Sequence, residues 1–167
     1  MTAAAHGMAP EQFMLLHHQI DQFNAAYAAA LDDKRFEEWP LFFLEHGTYK
    51  IQARENFDRQ FPLALMTLES QGMMKDRVYG ITQTIFHAPY HMRHVLSCCR
   101  VVSVDGDVIH TQTNYAVFRT RPGSVSEVYS VGRYIDVMYK KGDHMKLSSR
   151  LCVYDSEMIL NSLVYPI

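Results

Sequence analysis

At 167 residues the chain has the length of one domain, long enough to bury its own core without staples. Its 48% hydrophobic and 20% charged residues argue against disorder or a fibrous repeat. A net charge of −2, with Lys and Arg scattered, argues against nucleic acid as a partner.

Residues 1–10 lack the basic start and long apolar core of a signal peptide and read as a flexible tail before a single domain over residues 11–167. From Glu11 to Leu31, the residues Phe13, Leu16, Ile20, Phe23 and Tyr27 recur at three- and four-residue steps behind Pro10, the pattern of an amphipathic helix. Asp32-Asp33 can cap a second helix to about Phe43, with Phe36, Trp39 and Phe43 on one side and Pro40 splitting it into two pieces. Glu45-His46-Gly47 reads as a helix stop. In the strand that follows, Thr48–Ala53, Tyr49, Ile51 and Ala53 share one face while Lys50 and Gln52 share the other. Arg54, Glu55 and Asn56 then end the strand with a guanidinium fork, a carboxylate and an amide. Left buried and unpaired, such groups cost on the order of several kcal/mol, so the corner needs partners.

Residues 57–71, interrupted by Pro62, read as irregular to strand-like, and Met73 to Ile81 as a short helix. From Met92 the pattern changes. Val95–Val104, Val108–Thr120, Val125–Tyr139 and Met145–Tyr154 are rich in Val, Tyr, Thr and Ile. They are separated by the turn sequences Asp105-Gly106-Asp107, Arg121-Pro122-Gly123 and Lys141-Gly142-Asp143. Four hairpin-linked strands form a meander, and strands this long must coil. With one strand before them and a possible short strand near the C-terminus, the fold expected is α+β: a strongly curved antiparallel sheet, cone or half-barrel, with N-terminal helices on its concave face.

No apolar stretch approaches the roughly 18–20 residues needed to cross a bilayer. Cys98, Cys99 and Cys152 contain no Cys-x-x-Cys pair, which suggests neither a disulfide framework nor a sulfur-ligated metal and points to a reducing cytoplasm.

The densest group of potential ligands is His87, His91, Arg93 and His94. Pro89 opposes a helix there, and in an extended chain His87 and His91 stand about 13 Å apart, too far for one metal. These histidines are therefore expected at the surface or at an interface. Asp136 shares a strand face with Tyr134 and Met138, and cone-shaped sheets can hold isomerases and dehydratases built on an Asp, a Tyr and a His. His110 and Tyr115 have opposite parity on one strand and cannot both join Asp136 without a bulge. Arg133, Arg150, Asp136 and Asp155 are expected to form structural ion pairs. No nucleophile elbow or phosphate-cradling glycine run is present.

Several separated segments together resemble, in order, the small (beta) subunits of aromatic ring-hydroxylating dioxygenases. They are Trp39, Tyr49 to Asn56, Gly72 to Val78, Arg93-His94, Thr113 to Val117, Gly132 to Asp136, Arg150 with Asp155, and Pro166-Ile167. The chain departs from the pattern at Thr113, where Ser is common, and at Met145-Lys146, where a Trp is missing. The resemblance implies a cystatin-like or nuclear-transport-factor-like (NTF2-like) cone and a structural, non-catalytic role in aromatic catabolism. It implies an alpha subunit carrying a Rieske [2Fe-2S] cluster and mononuclear iron, an alpha3beta3 hexamer with beta–beta contacts, and no cofactor in this chain. Trp39, Tyr49, Arg54, Glu55, Asn56, Arg77 and Arg93 are its expected interface residues. The Gly72–Val78 form is most similar to subunits of oxygenases acting on salicylate, anthranilate or terephthalate. The alternative role is a stand-alone NTF2-like isomerase, dehydratase or small-ligand binder, which requires a pocket of a few hundred Å³, roughly.

Overall fold

The computed structural model describes residues 7–157 and 163–167. The first six residues of the expected tail lie outside the described residues; Met8 packs on the core, and helix α1 (Pro10–Asp32) begins one residue before the expected helix. Pro10 suits the first helical position, where no N–H partner is needed. The Asp32–Phe43 helix is replaced by a shorter 3-10 helix, Phe36–Phe42, with Pro40 inside it. Proline removes an N–H and crowds the preceding turn, which favours the tighter geometry.

Strand β1 (Phe43–Ala53) starts five residues before the expected strand, and the supposed helix stop lies within it. The register slips between Phe43 and Thr48. An ideal Cβ on Gly47 would sit 2.9 Å from the Leu147 and Leu44 carbonyl oxygens, so this glycine serves a close backbone approach at a bulge. After β1 come α2 (Arg54–Asp58), β2 (Met66–Leu68), and α3 (Gln71–Tyr79), which continues as a π turn over Gly80–Thr84. Ser70 caps α3, its hydroxyl accepting from the Met73 N–H.

The expected strand Val95–Val104 is two strands, β3 (His91–Leu96) and β4 (Arg100–Asp105), which pair in tandem with β5 (Val108–Thr120). β6 (Glu127–Lys141) and β7 (His144–Tyr154) complete the sheet, whose order is β2-β1-β7-β6-β5-β3. All neighbours are antiparallel except β1 and β7, which are parallel; the purely antiparallel sheet is corrected at this one seam. Residues 54–143, holding α2, α3 and strands β2 to β6, separate the two strands and supply the long connection that a parallel neighbour needs. No strand occurs in residues 163–167; the remainder of the region read as a possible C-terminal strand is outside the described residues.

The result is an α+β cone of the expected NTF2-like kind. Its concave face buries Ile51, Ile109, Val117 and Met138 against Ile20, Leu31 and Trp39. α1 also fastens the free edge of the sheet. Asp21 and Asp32, three helical turns apart, accept from the Cys99 and His94 backbone N–H groups. This covers edge donors that would otherwise template strand addition.

Candidate functional site

The cone interior places its polar groups on residues that alternate inward along β5, β6 and β7. Arg150 lies at the centre. Its Nε donates to Asp136 Oδ1 at 3.0 Å and its Nη2 to Asp136 Oδ2 at 2.8 Å and Asn24 Oδ1 at 2.6 Å. The guanidinium carbon lies 4.1 Å from the Tyr27 ring centroid and 4.2 Å from that of Tyr134, a cation between two aromatic faces. Burial pushes the Asp136 carboxyl above the ordinary carboxylate range, with Arg150 opposing it. Burial works against the Arg150 charge too, yet Asp136 holds the guanidinium well above its usual range. An acid held by two guanidinium hydrogen bonds is not free to exchange protons with a substrate.

The set required by the isomerase alternative is not assembled. Tyr115 is buried against Tyr134, their rings stacked at 4.5 Å, whereas His110 faces outward, as strand parity requires. Residues 163–167 fill what would be the mouth of a pocket. The Ile167 carbonyl oxygen accepts from Tyr49 Oη at 2.9 Å, Tyr27 Oη at 3.2 Å and Cys152 Sγ at 3.6 Å. Depressions on the described surface lie along α1 and the strand tips, and two of them reach core residues, one at Leu16 and Ile109 and one at Asn24.

The histidines separate. His91 is exposed, His87 Nε2 is hydrogen bonded to Tyr165 Oη at 2.6 Å, and His94 is buried, its Nδ1 donating to Asp32 at 2.6 Å. The surface or interface placement expected for all three is corrected at His94, which shares the inward side of β3 with Met92. Among the described residues, no three His, Cys, Asp or Glu side chains come together to hold a metal.

The expected interface residues also divide. Trp39 and Tyr49 have 0% exposure within their own chain, so they are corrected from contact residues to core. Trp39 Nε1 donates to Tyr27 Oη at 2.9 Å, and its ring meets Tyr49 edge-on at 5.0 Å. Aromatic bulk suits an interface anchor and a core residue alike, and here α1 and the 3-10 helix cover both side chains. Arg77 is half-buried and fastens the chain's own end, its Nη2 donating to the Leu163 and Val164 carbonyls. Arg93 remains exposed, 3.6 Å from Asp32.

Arg54, Glu55 and Asn56 follow directly on the end of β1 at Ala53, as expected, and form the short surface helix α2. Arg54 pairs with Asp155 at 3.2 Å and Asp58 at 3.5 Å, and Glu55 with Arg59 at 3.2 Å, so intrachain pairing is realised. Asp155 therefore pairs with Arg54, while Arg133 lies 5.4 Å from the Phe57 ring centroid instead of in the expected ion pair. Exposed pairs contribute about 0–1 kcal/mol. Arg54→Ala is accordingly expected to leave the denaturant midpoint of the isolated chain almost unchanged; a large drop would make the corner a determinant of the fold.

The sequence reading missed the outer face of the sheet. Registers place Val95, Ala116 and Val131 in one row across β3, β5 and β6, with Phe118 and Val128 paired beside them. Val95 is 54% and Val131 38% exposed. Further along, Ile135 on β6 pairs with Leu151 on β7 on the same outward side. An antiparallel sheet with water on one side ordinarily alternates apolar and polar residues; here a local apolar patch stands on an outward face that elsewhere carries His110, Gln112, Asn114 and Arg133. The signal was present as the short apolar run Tyr115-Ala116-Val117-Phe118 in a strand otherwise read for alternation.

A family model described as the ring hydroxylating beta subunit matches residues 26–161. The chain is 31% identical over 149 residues to the anthranilate 1,2-dioxygenase small subunit of Burkholderia cepacia, covering 89% of this chain and 92% of that one. It is 27% identical over 154 residues to subunit beta 2 of the terephthalate 1,2-dioxygenase terminal oxygenase component of Comamonas sp, covering 92% and 100%. Among solved structures, it is similar to the beta subunit of a proposed aromatic-ring-hydroxylating dioxygenase from Novosphingobium aromaticivorans DSM 12444. That match has a TM-score of 0.84 at 35% identity and covers 92% of this chain and 98% of the other.

Proposed function

This chain belongs to the ring hydroxylating beta subunit family, and from that premise we propose that it is the structural, non-catalytic subunit of an aromatic ring-hydroxylating oxygenase, docked on an iron-containing alpha subunit. The observation that carries the proposal is the apolar patch on the outward face of the sheet. Val95, Val128 and Val131, with the half-buried Ala116 and Phe118 between them, form an outward patch that the described residues leave exposed. Such a patch marks a contact surface, and desolvating it supplies affinity. The filled interior, with Asp136 tied to Arg150, speaks against the stand-alone isomerase or ligand-binding alternative.

In the assembly we propose, the alpha subunit holds the Rieske cluster and the mononuclear iron. Three alpha and three beta chains form a hexamer with beta–beta contacts, and Arg54, Glu55, Asn56 and Arg93 are polar rim contacts. The free cysteines Cys98, Cys99 and Cys152 favour a reducing cytoplasm. No helix among the described residues is long and apolar enough to cross a membrane. Relatives named for anthranilate and terephthalate support an aromatic carboxylate as the substrate class.

Co-expression with the alpha-subunit reading frame tests this assembly. Native mass measurement is expected to give a six-chain particle that oxidises anthranilate or terephthalate in preference to naphthalene. Val95→Lys combined with Val131→Lys is expected to remove the alpha subunit or break the hexamer while the isolated chain keeps its melting temperature. An intact particle carrying both lysines would move the interface elsewhere.

A further inference from the structure

The outward face of the sheet carries a charge imbalance that the chain as a whole does not share. Side chains on this face stand in rows two residues apart along each strand, roughly 7 Å from row to row. Arg93, paired with Phe118, borders the Val95–Ala116–Val131 row on one side, and Arg133, paired with Asn114, borders it on the other. One row further on, outward residues run in register from Arg100 on β4 to Lys50 on β1, through Gln112, Ile135 and Leu151. None of these four rows holds an Asp or a Glu, although the chain has 18 acids against 16 Lys and Arg. Asp136, on β6, points inward to Arg150. The acids at the margin of the face are matched already, Asp155 by Arg54 at 3.2 Å and Glu127 by Arg119 at 2.7 Å.

The cations of the face are not matched in the same way. Among the described residues, Lys50, Arg100 and Arg133 form no ion pair. Residues 1–6 and 158–162 contain no acid. Arg100 donates to the Gln112 side-chain carbonyl, and Arg133 lies over the Phe57 ring, contacts that hold each guanidinium in place without neutralising it. Arg93 is shared with Asp32 at 3.6 Å. Two copies joined by this face across a two-fold axis would set arginine against arginine. A phosphate backbone, charged along its whole length, would leave the valines at the centre of the face unmatched.

On the reading of this chain as a subunit docked through its outward patch, we propose that the face recognises a surface of the alpha subunit that is apolar at its centre and acidic around it. Carboxylates of that surface meet Arg100, Arg133 and Lys50, with Arg93 at the opposite border. The apolar centre supplies affinity, while the cations steer the encounter and fix the orientation.

In the complex co-expressed with the alpha-subunit reading frame, the dissociation constant can be read by sedimentation over a dilution series. It is expected to rise about tenfold between about 50 mM and about 500 mM NaCl, as the screening length shortens. Arg100→Glu combined with Arg133→Glu is expected to raise it about a hundredfold at the lower salt and to remove the salt dependence, with the melting temperature of the isolated chain unchanged. Should that variant melt below the wild type, Arg100→Gln combined with Arg133→Gln takes its place, with a rise of about tenfold expected. A wild-type complex indifferent to salt, or a charge variant that binds as tightly as wild type, overturns the proposal and leaves the docking itself standing. Absence of any complex overturns both. An isolated chain that dimerises at low salt, and is monomeric once Arg100 and Arg133 are replaced, assigns the face to a second copy and overturns the proposal as well.

Discussion

Replacing Arg150 with alanine is expected to unfold the isolated chain at 37 °C or leave it barely stable. Arg150 and Asp136 both have fully buried side chains and meet at 2.8 Å. Removing one partner of such a pair leaves an uncompensated carboxylate in a low-dielectric interior, at a cost of about 3–5 kcal/mol. A domain's whole stability is about 5–15 kcal/mol. The same change empties the space between the Tyr27 and Tyr134 rings and leaves Asn24 Oδ1 without its donor, so collapse cannot repair the loss cheaply. Chemical denaturation measures the cost directly. The double substitution Arg150→Met with Asp136→Leu is expected to recover most of it, because an apolar pair of similar size needs no counter-charge. A single-mutant loss below about 1 kcal/mol would mean that water or another residue satisfies Asp136.

Gly132→Ala is the second large expected effect. Gly132 lies on β6 opposite Tyr154 of β7. An ideal Cβ at this position would overlap the Val153 carbonyl oxygen and stand 2.9 Å from Tyr115 Oη and from Tyr154 Cα. Two of these three obstacles are backbone, which cannot rotate aside. The β6–β7 pairing must open locally, and the cost expected for such overpacking is about 3 kcal/mol. A domain of this size loses about 2–4 °C per kcal/mol, so the melting temperature should fall by roughly 10 °C. The disturbed Tyr115–Tyr134 stack should change the near-ultraviolet circular dichroism as well. An alanine variant with wild-type melting temperature would show that the two strands move apart without penalty.

These two positions also mark how far the sequence could be followed. The meander was legible because its turns are local: Gly106, Gly123 and Gly142 take positive φ values of 57°, 75° and 60°, which glycine reaches without strain. The inward face of β6 was legible from period-two spacing, with Tyr134, Asp136 and Met138 all buried. Helix α2 was not legible. It is only five residues long, and the left-handed turn two residues beyond its end falls on Gln60 rather than on the glycine that usually signals such a stop. The break between β3 and β4 was missed because Ser97 and Asp21 stabilise it through contacts 17 and 78 residues away in sequence. The site was less legible than the fold. Tyr49 owes its place to Ile167, 118 residues further along, and Trp39 reads as core or interface until its cover is known.

Period, turn chemistry and an ordered set of family-like segments thus determined the α+β class, the strand sequence and the expectation of a partner subunit. Those properties depend on neighbours within a few residues or on the pattern as a whole. The parallel β1–β7 seam, the burial of Arg150 with Asp136, the filling of the cone by Ile167 and the exposure of the Val95–Ala116–Val131 row were decided only in three dimensions. Each depends on which distant segment covers a residue, and the residue types themselves leave that choice open: an arginine, a tryptophan or a valine has the same chemistry on either face of a strand until one face is closed.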